Sequence, residues 1–556
     1  MTRQMTPIDE LADQHFDATV ALSPMQMTWL GIDERQDEYD DMTPDGIAAF
    51  DSIRRATLKS LDALRPADDI DATTVSALRE RIGLAVEQHD AHADLMDIAG
   101  IDSGLSGIRE VYDLMPTDTA ANWATIGRRL QAVPAAIDGW FLTQLAGIEA
   151  GVKPAIRQVK LLAEQCDGWV ADGGYFDAMA NNAARKLPDM DAATRDELQT
   201  GLDVAKKAFA AASQRLTDQI APLAVQQDAA GPQRYELASR HFLGMKVDFQ
   251  QYYQWGQDEL ARIEDQSAQI AAKLRPGMTV AQTKKSLDED PAYVLDDAEA
   301  MRAWLQSRAE TAIAELNGVH FDIPEPARHV ECMFADNHDG GVWYTAPSDD
   351  FSRPGRMWWS VPEGQTTFSM WRELTTVHHE GVPGHHLQCA QAVYIRDILN
   401  KWRRNGIWVS GHGEGWALYA EQLMAELGYM DDPAHMLGML DGQAMRAVRV
   451  VIDMGLHCGF DAPAEVGGGE WTFDKAWTYF NSHVEYEEGQ ARFEVLRYFG
   501  WPGQAPAYKI GERVWQEIRD ECKAREGDAF SLKAFHAKAL NLGSVGLQTL
   551  KDAMLG

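Results

Sequence analysis

The stretch "MLDGQAMRAVRVVIDMGLHCGF", Met439 to Phe460, sets the fold class. Met445, Val448, Ile452 and Leu456 recur at steps of three and four, the spacing of a helix that turns one face to a core. The same period runs through "SQRLTDQIAPLAVQQ" (213–227) and "AMRAWLQSRAETAIAEL" (300–316). Strand-like segments concentrate between about residues 328 and 370. There "HVECMFA", "GGVWYTA" and "GRMWWSVPE" are short, aromatic and β-branched, with Gly, Pro, Asp and Asn between them. The expectation is a mainly α protein with one small antiparallel β-element. The Gly-Pro in "APLAVQQDAAGPQRY" (221–235) separates two helical blocks, which predicts an N-terminal helical part over 1–235 and a helical catalytic part over 236–556.

Composition narrows the function classes. The 556 residues are 45% hydrophobic and 24% charged, an ordinary globular balance. A formal net charge of −34 repels phosphate backbones and anionic lipid, so neither nucleic acid nor a membrane is an expected partner. "MTRQMTPIDELADQHFDATV" reads as an amphipathic helix and not as a signal peptide. The five cysteines are odd in number and scattered without a C-x-x-C pair, so a reducing cytoplasm is the expected compartment.

Immediately after the strand-like segments comes "TTVHHEGVPGHHLQ", Thr375 to Gln388, with four of the sixteen histidines. It nearly matches H-E-x-x-H, in which two histidines one helical turn apart bind zinc and the glutamate is the base toward water. Here the second histidine comes late. The step from His379 to His385 is a rise of about 9 Å and a rotation of about 240° on an unbroken helix, too far for both rings to reach one ion. Gly381 and Pro383-Gly384 supply an interruption, since proline removes a helical donor and glycine admits otherwise costly dihedrals. The segment then reads as H-E-x-x-H with two extra residues looped out. His379 and His385 are the metal ligands, Glu380 is the general base, and His378 and His386 support them, His386 as a substrate-contact candidate. A third ligand is expected on a neighbouring element. Glu414, about 35 residues past His379 in "GHGEGWALYAEQLMAELG", suits a His₂Glu zinc site, with His412 and Glu421 as weaker candidates. Cys389 reads as a buried thiol on the apolar side of its helix.

Four blocks, "HHEGVPGHHLQ", "GEGWALYAE", "VIDMGLH" and "RYFGWPGQAPAYKIG", together with the early "SPMQMTWLGIDERQDEYDDMTPDG", resemble a bacterial family known only as domain of unknown function 885. The likeness covers nearly the whole chain. In motif logic that family is similar to helical zinc peptidases such as thimet oligopeptidase, carboxypeptidase Taq and angiotensin-converting enzyme. The resemblance implies a large helical metallopeptidase-like fold with a deep cleft and one zinc ion at His379, His385 and Glu414. The two-residue insertion leaves open which of His385 and His386 coordinates. The resemblance also implies an oxyanion donor downstream, at Tyr508 or His457, and substrate contacts at Tyr344 on an edge strand and at Arg497 toward a substrate carboxylate.

The expected function is therefore a zinc-dependent hydrolase, foremost a metallopeptidase of short peptides. A second reading is hydrolysis of a small non-peptide amide at the same metal. A third is a non-catalytic metal- or peptide-binding protein, against which the presence of Glu380 argues.

Overall fold

The computed structural model describes residues 3–335 and 341–556; the start of the "GGVWYTA" segment, Gly340, lies outside them. The protein is mainly α, with five short strands among the described residues. The helix read first, Pro433–Cys458, lies at the centre. Asp432 caps it by accepting the Ala434 N–H at 2.9 Å, and Pro433 opens it. Val448, Ile452 and Leu456 are buried as the period requires, and so are Ala447, Val450, Val451 and Met454. The helix is apolar on most sides because neighbours cover it, among them Phe249–Leu274 and Met370–Glu380, and it is only partly covered at Asp441, Gly442 and Arg446. Each fully buried aliphatic side chain contributes about 1.5–3 kcal/mol.

Two main cores share the described residues, beside a small cluster of Leu287, Trp371, Ala434 and Leu437. The smaller is built from residues between Ile98 and Ile220, on the helices Ala120–Glu149, Ile156–Val170 and Ala192–Arg215. The first helices belong to the large core instead: Ala12, Phe16, Leu61 and Leu78 pack with residues from the C-terminal half. Polar ties seal the same contact, with Asn400 donating to Asp9 at 3.0 Å and Arg403 to Thr74 at 3.1 Å. Along the chain the change from the smaller core to the large one falls within the Gly-Pro stretch, between Ile220 and Tyr235, while residues before Ile98 also join the large core.

Strands β1 (Val294–Leu295) and β5 (Phe368–Ser369) pair antiparallel. Strands β2 (Val330–Phe334), β3 (Val342–Thr345) and β4 (Gly355–Trp359) form a sheet of order β2-β4-β3. The expected antiparallel element is thus mixed. β3 runs antiparallel to β4, with Tyr344 opposite Met357, while β2 runs parallel to it, with Cys332 opposite Met357. β4, buried at Gly355, Met357 and Trp359, takes the middle, because its alternate side chains fill the core while β3 stays half-exposed at the edge.

Candidate functional site

The helix predicted to carry the first histidine spans Met370–Glu380 and stops at Gly381; a second begins at His385 and runs to Tyr394. Between them the chain folds back, with Gly384 N–H donating to His378 O at 3.0 Å and His386 N–H to Gly381 O at 3.1 Å. Gly384 has no substitute here: a Cβ on it would lie 1.9 Å from the carbonyl oxygen of His379. The turn is braced from the helix Ser410–Glu426, where the Trp416 indole donates to Pro383 O at 2.9 Å. That helix also carries Glu414, so one element both holds the turn and faces it.

The fold-back brings His379 and His385 together, their rings 4.8 Å apart and nearly perpendicular. Nε2 of each lies 3.4 Å from Glu414 Oε2, and the three ligand atoms all fall within 4.8 Å of one another. Donors about 2.1 Å from a tetrahedral ion stand about 3.4 Å apart, which is the spacing of each histidine nitrogen from Glu414 Oε2, so the donor set suits a zinc ion. His386 does not share this centre. Its Nδ1 bonds the Tyr344 hydroxyl and its Nε2 the Ala327 carbonyl, both at 2.9 Å. Of the two histidines, His385 is therefore the one that shares a centre with His379 and Glu414.

Glu421 stands outside this trio and bonds to it from behind. It accepts from His379 Nδ1 at 2.8 Å and from the Thr375 hydroxyl at 2.5 Å, which leaves His379 Nε2 aimed at Glu414. Burial works against a charge on His379, yet the Glu414 and Glu421 carboxylates push it up to about 10. Against its own burial, Glu414 is held well below the usual carboxylate range by His385 and His379. Glu380, next to His379, is buried with Oε2 unpartnered among the described residues, and that burial raises its pKa. Burial pushes His378 down to about 4, which keeps it neutral.

All of this opens on a cavity of about 1150 Å³, lined by His379, Glu380, His385, Glu414, Tyr508 and the edge strand β3. Tyr508 stands at the start of the helix Ala507–Glu526, with Arg449 4.9 Å above its ring. That helix meets the Glu414 helix at a glycine contact: a Cβ on Gly415 would lie 2.4 Å from the Gly511 carbonyl carbon. Cys389 also lines the cavity, so its thiol is not on a purely apolar side; burial raises it to about 12.

Two of the other candidates, His457 and His412, lie outside the cavity lining, and two, Arg497 and Tyr344, line it with their polar groups engaged. His457 lies outside the cavity lining: Nε2 donates to Tyr498 O at 2.7 Å, Nδ1 accepts from Ala230 N–H at 3.0 Å, and the ring stacks on Tyr235. With both nitrogens committed and burial lowering it to about 4, it is a neutral core histidine. His412 takes a hydrogen from Gln388 at 3.2 Å and packs on Trp515, apart from the ligand trio. Arg497 reaches the cavity but is spent on Gln504 at 2.6 Å and Glu494 at 3.2 Å. Tyr344 lines the cavity, but its hydroxyl is engaged by His386. The sequence reading passed over Arg446, which also lines the cavity. Its signal was an arginine three residues before Arg449 inside an apolar run.

No curated protein matches the sequence. Solved structures that share the fold include these two. A candidate lipoprotein from Colwellia psychrerythraea superposes with a TM-score of 0.83 at 22% identity, over 99% of this chain and 98% of its own. A candidate lipoprotein of unknown function from Shewanella oneidensis gives 0.75 at 17% identity, over 99% and 100%. These descriptions overturn the expectation of a cytoplasmic protein, because the fold occurs in proteins described as lipoproteins and scattered cysteines do not fix a compartment. No helix among the described residues is long and apolar enough to cross a membrane. Residues 24–554 match the model of one family over nearly their whole length, and the chain belongs to it: the bacterial proteins of unknown function designated DUF885.

Proposed function

We propose that the protein is a zinc-dependent hydrolase that cleaves short peptides in this cavity, with a modified helical metallopeptidase site. The single observation that carries the reading is the convergence of His379, His385 and Glu414 at tetrahedral spacing beside a buried carboxylate, Glu380, with an oxygen left free. A chain that only stored a metal would need the ligands but not that base. The order of parts, a histidine-glutamate helix followed by a glutamate helix and a downstream tyrosine, resembles the helical zinc peptidases.

His379, His385 and Glu414 would hold the ion, which when bound supplies Lewis acidity toward water and the substrate carbonyl. Glu421 and Thr375 keep the His379 ring turned to the centre. The Glu380 carboxylate accepts a proton from the attacking water as the C–O bond forms, then returns it to the amide nitrogen as the C–N bond breaks. The Tyr508 hydroxyl, on the cavity wall, donates to the oxygen that gains charge. The half-exposed backbone of β3 offers an edge along which an extended peptide can pair.

Metal analysis of untagged protein, with turnover of a mixed peptide library by the parent and by Glu380→Gln, tests the reading. About one zinc per chain is expected, kept in Glu380→Gln while cleavage falls at least about 100-fold. Equal turnover in both would remove Glu380 from the reaction, and no metal uptake would favour a non-metallic binding protein.

A further inference from the structure

Six arginines line the cavity, and five of them have acceptors. Arg372 pairs with Asp441, Arg404 with Asp349 at 3.1 Å, and Arg449 and Arg497 share Glu494. Arg403 donates to Thr74 and Leu542. Arg446 differs: it makes no hydrogen bond among the described residues, and its buried Nε has no partner. The nearest carboxylate oxygen, Glu421 Oε1, is 4.0 Å away, beyond hydrogen-bonding reach, and Glu421 is already engaged by His379 and Thr375. The Arg446 side chain is 18% exposed, so its charge is largely withdrawn from water. A guanidinium does not shed its proton, and leaving its partly buried N–H donors unbonded is costly even with the Glu421 charge 4.0 Å away.

The cavity thus presents one planar donor fork with no hydrogen-bond acceptor among the described residues, and Glu421, 4.0 Å from it, is bonded to His379 of the ligand trio. The fork matches a carboxylate in two parallel hydrogen bonds. Glu380, Glu414 and Glu421 line the same cavity and add negative charge to it, which suits a monoanion better than a doubly charged phosphate. Trp408 and Phe493, each 53% exposed, give the same cavity an apolar flank. We propose that Arg446 is the specificity anchor of the site, holding a carboxylate of a peptide substrate that also carries an apolar side chain. The proposal rests on the hydrolase reading for the word substrate, and the carboxylate is either the chain's C-terminus or an acidic side chain.

Binding separates this inference from turnover. In zinc-supplemented Glu380→Gln protein, which prevents consumption of the probe, calorimetry compares three peptides: acetyl-Ala-Ala-Phe free acid, its C-terminal amide, and acetyl-Ala-Asp-Phe amide. At least one of the two carboxylate peptides is expected to bind about tenfold or more tighter than the neutral amide. Preference for the free acid identifies a C-terminal carboxylate, and preference for the Asp peptide a side-chain one. Adding Arg446→Gln is expected to abolish the preference at unchanged zinc content, and Arg446→Lys to keep part of it. Equal binding of all three peptides overturns the proposal, whether or not any peptide is cleaved. So does a preference that survives Arg446→Gln, or a uniform loss accompanied by loss of zinc, which would make Arg446 a support of Glu421. Should Arg446→Gln not fold, the acid-to-amide ratio with Arg446 in place and with Arg446→Lys still decides.

Discussion

Glu421 never touches the trio's common centre, yet it fixes which nitrogen of His379 points there. Its carboxylate takes the Nδ1 hydrogen, so the other nitrogen is left as the free donor. Glu421→Gln is expected to lower zinc affinity about 10–100-fold with the fold intact, measured by competition with a chromophoric chelator. Glu414→Ala, which removes a donor outright, is expected to lower it further. Affinity unchanged in Glu421→Gln would mean that the His379 ring is oriented by its packing alone. The contrast with His457 shows what decides a histidine's role. Both are buried on helices and both sit in recognisable blocks, but His457 spends its two nitrogens on backbone groups while His379 keeps one for the cavity.

At the scale of elements, the site depends on a helix that stops in time. An unbroken helix would carry His385 to another face; the turn at 381–384 brings it back, and Trp416 holds the turn from the helix that bears Glu414. Gly384→Ala is expected to cost more than the roughly 1 kcal/mol of an ordinary glycine replacement, because the new Cβ meets backbone rather than a movable side chain. Zinc affinity should fall by more than tenfold together with the melting temperature. A variant with normal stability and normal zinc binding would show that the turn can relax without moving His385.

Across the whole molecule, the large core encloses a titrating group outside the cavity lining. Asp453 sits in the central helix, fully buried, accepting from Tyr235 at 2.6 Å and from Gly503 at 3.1 Å. Burial raises its pKa from 3.8 to about 7. The folded state therefore keeps a proton that the unfolded chain releases. This contribution is fully present below about pH 4, and it declines as pH rises toward about 7 and then levels. Asp453→Asn is expected to flatten that part of the stability curve and to leave the variant a few kcal/mol more stable than the parent at pH 8. Denaturant titrations from pH 5 to pH 8 check it; parallel curves for the two proteins would show that Asp453 does not titrate in this range.

Much was settled by local order along the chain. Steps of three and four determined the central helix, short aromatic runs determined the strands, and glycine and proline after Glu380 determined that the motif helix ends there, because backbone preference and side-chain period are properties of neighbours in sequence. The identity of the three candidate ligands was legible for the same reason. What sequence order did not hold is who faces whom. That β2 and β4 run parallel, that the first ninety residues join the large core, that Glu421 orients His379, and that Arg446 is the cavity arginine without a protein acceptor all depend on contacts between residues tens to hundreds of positions apart. Such contacts are fixed by how helices and strands pack, and only the tertiary structure decides that.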